Sequence, residues 1–317
     1  MAEGSAPHIR VGSAGWAYPD WKGVVYPARA GRGFDPLAFL AERFDVVEVD
    51  STFYRIPEPL KTGEWVRKVS DFPKFRFTVK LFQGFTHTRK ASLVDERAFH
   101  RALEPLARFR RLSGVLVQWP WSFKNTEENR RALSDLLSRF SAYPLAVEFR
   151  HASWANRDVL RLLREKKAAF CNIDQPELAH CLGPTTAVTS PLAYFRFHGR
   201  NATAWFTEGA GRDERYNYLY SAAELAPWAD SVREAAASAS DVVVIFNNHF
   251  RGKAVANAFQ LQYSLTGKKQ AAPAQLIEAY PELEPISATV FQRNLFAAEP
   301  EGRWEDGAGK KIDGEMG

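Results

Sequence analysis

Eight short apolar runs, each closing on polar residues, recur between positions 10 and 265, with stretches of helical period between them. They are Arg10–Gly15, Asp45–Asp50, Phe75–Lys80, Gly114–Trp119, Leu145–Arg150, Ala168–Asp174, Ala193–Gly199 and Val242–Asn248. Runs this short, apolar along most of their length, read as strands buried on both faces. The segments between them space apolar residues three or four apart, as an amphipathic helix requires. Several helix boundaries are legible. Asp35 is a cap residue ahead of Pro36 at the first helical position. Asn125, with Glu128 three residues later, predicts a capping box before a helix over Arg130–Arg139. Asn156 caps a helix running to Lys167, and Gly267 follows one over Lys253–Leu265.

Buried strands alternating with helices imply a parallel sheet, because right-handed crossovers lay each helix against its outer face. A closed (β/α)8 barrel and an open doubly wound sheet both satisfy this. The count of eight favours closure, as do the polar residues at the C-terminal end of nearly every strand. An open sheet concentrates its site at one switch point instead. The reading is an α/β chain forming a single (β/α)8 TIM barrel domain over residues 8–296, each strand followed by a helix. A polar, glycine-rich tail at 297–317 is expected to be mobile.

With 45% hydrophobic and 25% charged residues, the 317-residue chain has the balance of a globular protein. No apolar run near the N-terminus has the form of a signal peptide, and none is long enough to span a bilayer. Cys171 and Cys181 fit neither a disulfide framework nor metal-ligand spacing. A cytoplasmic protein without membrane partners is the expectation. The net charge of +5 permits an anionic ligand without requiring nucleic acid, since Lys and Arg are scattered over predicted helix faces.

Alternation along a barrel strand sends every second side chain inward. Glu48 and Asp50 then share a face, as do Arg76, Thr78 and Lys80, Glu148 and Arg150, Asn172 and Asp174, and Arg196 and His198. One of Asn247 and Asn248 joins them. Ionisable residues opposite an apolar face are the reverse of a surface strand, so these groups are expected to meet inside the barrel mouth. Any one acid–base pair reads equally well as an ion pair holding the barrel in register. The whole set, contributed by six strands to one end, reads as a site.

The catalytic candidates are Glu48, Asp50, Lys80, Glu148, Asp174 and His198. Lys80 near Glu48 or Asp50 is a proton carrier or carbonyl polariser, and His198 is the natural titrating group near neutral pH. Glu48 and Glu148 also form a candidate glycosidase carboxylate pair. Glu148, Asp174 and His198, on successive strands, have donor chemistry for a divalent ion. Lys80, Arg150 and Arg196 already compensate the acids, and no cofactor is predicted.

Asn247–Lys253 runs into a helix, where Arg251, Lys253 and Arg200 offer charge and Gly252 allows close approach to an anion. The plain alternative is that the asparagines cap the helix and the bases face water. Trp16, Trp21, Trp119, Trp121, Trp154 and Trp205 fall in strand-to-helix loops, with Tyr18, Phe53 and Tyr54 on the same rim. Most are expected to pack loops together, and one or two to reach a sugar or base. The expected ligand-binding set is Trp16, Tyr54, His87, Gln118, Arg150, Trp154, Asn172, Arg196, Asn247, Asn248, His249 and Arg251.

Several stretches carry a family resemblance: Val11–Trp16, Tyr18–Tyr26, Val47–Tyr54, Phe77–Lys80 with Thr86 and His87, and Val147–Arg150 with Trp154. Phe195–Gly199 and Phe246–His249 with Ala254, Asn257 and Ala258 complete the set. On these the chain resembles the YecE-like family, domain of unknown function 72, from residue 8 to about 265. The resemblance implies a (β/α)8 barrel and no particular activity. The expected function is acid/base chemistry on a small polar, sugar-like ligand, phosphorylated in one version, by an isomerase, lyase or hydrolase. A nucleic-acid-binding or repair-like, endonuclease-type barrel and a non-catalytic ligand-binding protein are the alternatives.

Overall fold

The computed structural model describes residues 7–205, 207 and 211–288. Eight parallel strands close in sequence order: β1 His8–Ala14, β2 Val46–Val49, β3 Arg76–Lys80, β4 Leu112–Gln118, β5 Leu145–Glu148, β6 Ala168–Asp174, β7 Leu192–Phe197 and β8 Asp241–Phe246. Pairing of β1 with β8, from His8 opposite Asp241 to Ser13 opposite Phe246, completes the ring and leaves no open edge. Gly12 makes the β1–β2 seam feasible. A Cβ there would stand 1.8 Å from the Val46 carbonyl oxygen. The expected (β/α)8 barrel is therefore the observed architecture.

Helices Pro59–Lys68, Leu93–Arg108, Glu127–Arg139, Arg157–Glu165, Ala222–Ala236 and Lys253–Thr266 alternate with the strands. Asp35 caps its helix by accepting from the backbone N–H groups of Leu37 and Ala38, and Asn156 does the same from Val159. Each such cap contributes roughly 1 kcal/mol. Gly267 closes the Lys253–Thr266 helix in the left-handed conformation at φ 66°. One cap is displaced from its expected place. Thr126, not Asn125, accepts from the N–H of Asn129, because Asn125 donates its side chain to the Ser153 carbonyl.

The pattern of a helix after every strand also fails once. Residues 175–191 between β6 and β7 contain no helix. Instead the segment is stitched along β6: Asn172 Oδ1 accepts from the Ala187 N–H at 2.8 Å, and Asn172 Nδ2 donates to the Ala187 carbonyl at 3.1 Å. Thr189 Oγ1 accepts from the Phe170 N–H and donates to the Ala168 carbonyl. Side-chain hydrogen bonds here replace what helix packing does elsewhere. The 297–317 tail lies outside the described residues. No described helix is long and apolar enough to cross a membrane.

Candidate active site at the barrel mouth

Strand register decides which polar side chains enter the lumen. Glu48 pairs with Thr78 across β2–β3, and the Tyr194 hydroxyl of β7 reaches both, donating to Glu48 Oε2 at 2.7 Å and lying 2.8 Å from Thr78 Oγ1. Arg196, two residues on, shares that face. Its guanidinium donates to Glu48 Oε1 at 2.6 Å and to Glu148 Oε2 at 2.5 Å, with all three side chains fully buried. Arg150 Nε lies 2.5 Å from Glu148 Oε1. Asp50 Oδ1 stands 4.0 Å from both Arg196 and Lys80. Glu48, Asp50, Lys80, Glu148, Arg150, Arg196 and His198 thus converge as the sequence reading expected.

Burial and charge then differentiate the acids. Burial raises Glu48 to about 7, aided by neighbouring Asp50, although Arg196 opposes the shift. Burial also acts to raise Glu148, but the Arg150 and Arg196 guanidiniums outweigh it and hold that carboxyl well below the usual range. His198 departs from the expectation that it titrates near neutrality. Burial and the nearby Arg150 charge push it down to about 3, so it is neutral at physiological pH. Its Nδ1 faces the Asn247 side-chain amide at 3.0 Å, and its Nε2 lies 3.4 Å from Glu148. With the amide NH2 assigned toward Nδ1, that nitrogen accepts and Nε2 carries the proton.

Other expectations are corrected. Asp174 pairs in register with Phe197, and Ile173 with Arg196, so Ile173 takes the lumen side and Asp174 faces the helices. There Asp174 accepts from Arg200, Tyr220 and Trp228. Asn172 lies on the same outer face, tied to residues 185 and 187. The proposed ligand set of Glu148, Asp174 and His198 is therefore not brought together. Asn248 also turns outward, donating to the Tyr218 carbonyl and to Asn257. Trp154 is fully buried, stacked on Phe149 at 4.3 Å, and Trp16 packs edge-on against Trp65.

The expected anion site after β8 is not assembled either. Arg200 pairs with Asp174, the Lys253 ammonium donates to Asn217, and Arg251 is exposed and lines neither mouth cavity. Gly252, at φ 80°, serves packing: a Cβ there would meet Val25 at 2.6 Å.

Two adjoining cavities open at the mouth. The inner one, about 280 Å³, is lined by Asp50, Lys80, Asn247 and His249 together with Tyr18, Tyr54, Arg215 and Tyr216. His249 stacks on Tyr18 at 4.5 Å, nearly parallel, and Lys80 Nζ lies 4.2 Å over the Phe53 ring. His87 stands edge-on to the other side of this corner, 4.8 Å from Phe53, and is pushed down to about 4 by burial and by the Lys80 charge. The outer cavity, about 470 Å³, is lined by Gln118, Arg150, Gln175, Trp121 and Trp205, and shares Arg215 and Tyr216 with the inner one.

The model of the family described as "Protein of unknown function DUF72" matches residues 10–281. The chain belongs to the DUF72 family. It is 30% identical over 268 residues to the UPF0759 protein YunF of Bacillus subtilis strain 168, covering 80% of this chain and 93% of that one. The crystal structure of the DUF72 family protein TM1631 of Thermotoga maritima aligns with a TM-score of 0.71 at 36% identity. That alignment covers 81% of this chain and 99% of the other. A second DUF72 structure, EF0366 of Enterococcus faecalis V583, aligns with a TM-score of 0.72 at 29% identity over 81% and 95% of the two chains.

In this DUF72 barrel, sequence reasoning missed Tyr194, Arg215 and Tyr216. Tyr194 sits on the lumen face with Arg196 and was detectable from alternation alone. Arg215 and Tyr216 come from the long connection after β7, where no periodicity marks a side chain as inward-facing.

Proposed function

We propose that this DUF72 protein is an enzyme that moves protons on a small polar, sugar-like ligand bound in the inner cavity. The observation that carries the reading is the Asp50–Lys80 pair. An acid and a base, both partly exposed, stand 4.0 Å apart on the wall of one cavity. Asp50 is assigned as the proton acceptor, from a hydroxyl or from carbon beside a carbonyl. Lys80 is the donor that protonates or polarises the ligand oxygen. Glu48, Glu148, Arg196 and His198 are positioning residues, being fully buried and lining neither mouth cavity.

The same facts speak against a glycosidase, because Glu48 and Glu148 both accept from one guanidinium. Tyr18, Tyr54 and Asn247 provide hydrogen-bonding edges for hydroxyl groups, and the volume is at the small end for a ligand pocket. Arg215, whose Nε has no hydrogen-bond partner, is the cation assigned to an anionic substituent.

The test is solvent-deuterium exchange into a panel of sugars and sugar phosphates, followed by NMR. Exchange into one member is expected, with loss in Lys80→Met and in Asp50→Asn. Folded variants that exchange at the parental rate contradict the assignment.

A further inference from the structure

The outer cavity has a different chemistry from the inner one. Indole rings from two separate connections line it: Trp121 follows β4, and Trp205 follows β7. The other rim tryptophans in the described structure are held by packing. Trp21 and Trp154 are fully buried and donate to backbone carbonyls, Trp119 stacks on Phe123 at 3.8 Å, and Trp16 packs on Trp65. Trp121, edge-on to His151 at 5.2 Å, and Trp205, edge-on to Tyr216 at 5.9 Å, are packed as well, but they keep accessible surface on the cavity wall beside Gln118, Gln175 and Arg150, whose guanidinium lies 5.6 Å from the Trp205 ring centre. Indole faces beside carboxamide edges suit a flat heterocycle, which stacks through its face and hydrogen-bonds through its rim.

The two cavities belong to one site. Arg215 and Tyr216 line both. Beneath them a polar chain links the floors: Asn247 of the inner cavity contacts His198, His198 contacts Glu148, and Glu148 contacts Arg150 of the outer cavity.

We infer that the ligand is two-part and of mononucleotide size: a sugar phosphate in the inner cavity and a planar heteroaromatic ring between Trp121 and Trp205 in the outer one. This rests on the inner cavity being the ligand site, and names the class of molecule that occupies it. The ring is the recognition element, and the reacting atoms lie in the sugar part.

Calorimetric titration with adenosine 5′-monophosphate, uridine 5′-monophosphate and ribose 5-phosphate tests it. Stacking of one base predicts that at least one nucleotide binds roughly five- to hundredfold more tightly than ribose 5-phosphate. It also predicts quenching of tryptophan fluorescence by that nucleotide and not by ribose 5-phosphate. Trp205→Ala is expected to erase the difference while leaving ribose 5-phosphate affinity within about twofold, and Trp205→Phe to restore most of it. Equal affinity for nucleotide and ribose 5-phosphate, or binding of neither nucleotide, overturns the inference and leaves the deuterium-exchange reading standing. Nucleotide binding that is indifferent to Lys80→Met and Asp50→Asn upholds the ring site and contradicts the inner-cavity reading instead.

Discussion

Asp174 and Glu148 are both buried acids at the same end of the barrel, yet their surroundings differ in kind. Asp174, on the helix side, takes hydrogen bonds from Arg200 Nε and Nη2, from the Tyr220 hydroxyl and from Trp228 Nε1. Both of its oxygens are satisfied. Glu148, on the lumen side, is crowded by Arg150, Arg196 and His198, but its Oε1 has no well-formed hydrogen bond. Asp50 Oδ1, Arg150 Nε, Arg196 Nε and His198 Nε2 are in the same condition. A saturated buried acid holds elements together. Within that set Asp50 lines the inner cavity and Arg150 the outer one, and their unsatisfied atoms mark where a ligand's groups belong, with Glu148, Arg196 and His198 packed behind them.

The largest effect that breaks or sharpens this contrast is on stability. Asp174→Ala leaves Arg200 and two buried donors without their acceptor, so chemical denaturation should register a loss of about 3–5 kcal/mol. A loss below about 1 kcal/mol would remove the structural role from Asp174. On the lumen side, Lys80→Met should slow solvent-deuterium exchange by about 100- to 10,000-fold. Its unfolding free energy should change by less than about 1 kcal/mol, because the ion pair it breaks is long and partly solvated.

Two pH effects of opposite sign come next. His198 is pushed from 6.5 to about 3, so the unfolded chain takes up a proton before the folded one does. Its contribution is complete above pH 6.5 and is lost as pH falls toward 3, on the order of a few kcal/mol. Glu48 is raised from 4.5 to about 7, so the folded chain keeps a proton that the unfolded chain has released. Its contribution is complete below pH 4.5 and is lost as pH rises through 7. Unfolding curves from pH 4 to 8 should therefore flatten on the acid side in His198→Gln and on the neutral side in Glu48→Gln. Parental slopes in both variants would contradict these environments. The smallest effect is local: Thr126→Ala should cost about 1 kcal/mol, and an Asn125 variant should not reproduce it through the cap.

The barrel was legible because period-two and helical patterns are long-range and redundant. Eight strands, with the charged pairs of β2, β5 and β7 facing inward, followed from alternation alone. Asn172 and Asp174 misled because parity says only that they share a face. The face itself is set by register with β7, and by a missing helix whose replacement segment needs Asn172 as a partner. Arg251 and Lys253 looked like an anion site because sequence shows charge near a helix start, but not that Lys253 is engaged by Asn217 and that Gly252 packs against Val25. Arg215 and Tyr216 carry no periodic signal at all.

The most direct test of the contrast is Asp50→Asn, measured in parallel for unfolding midpoint and for deuterium exchange into the active panel member. Removing a cavity-lining acid whose Oδ1 lacks a hydrogen bond should leave the midpoint unchanged or higher while exchange disappears. A lowered midpoint with exchange intact would make Asp50 another structural acid, like Asp174, and would leave the mouth of the barrel without its proton acceptor.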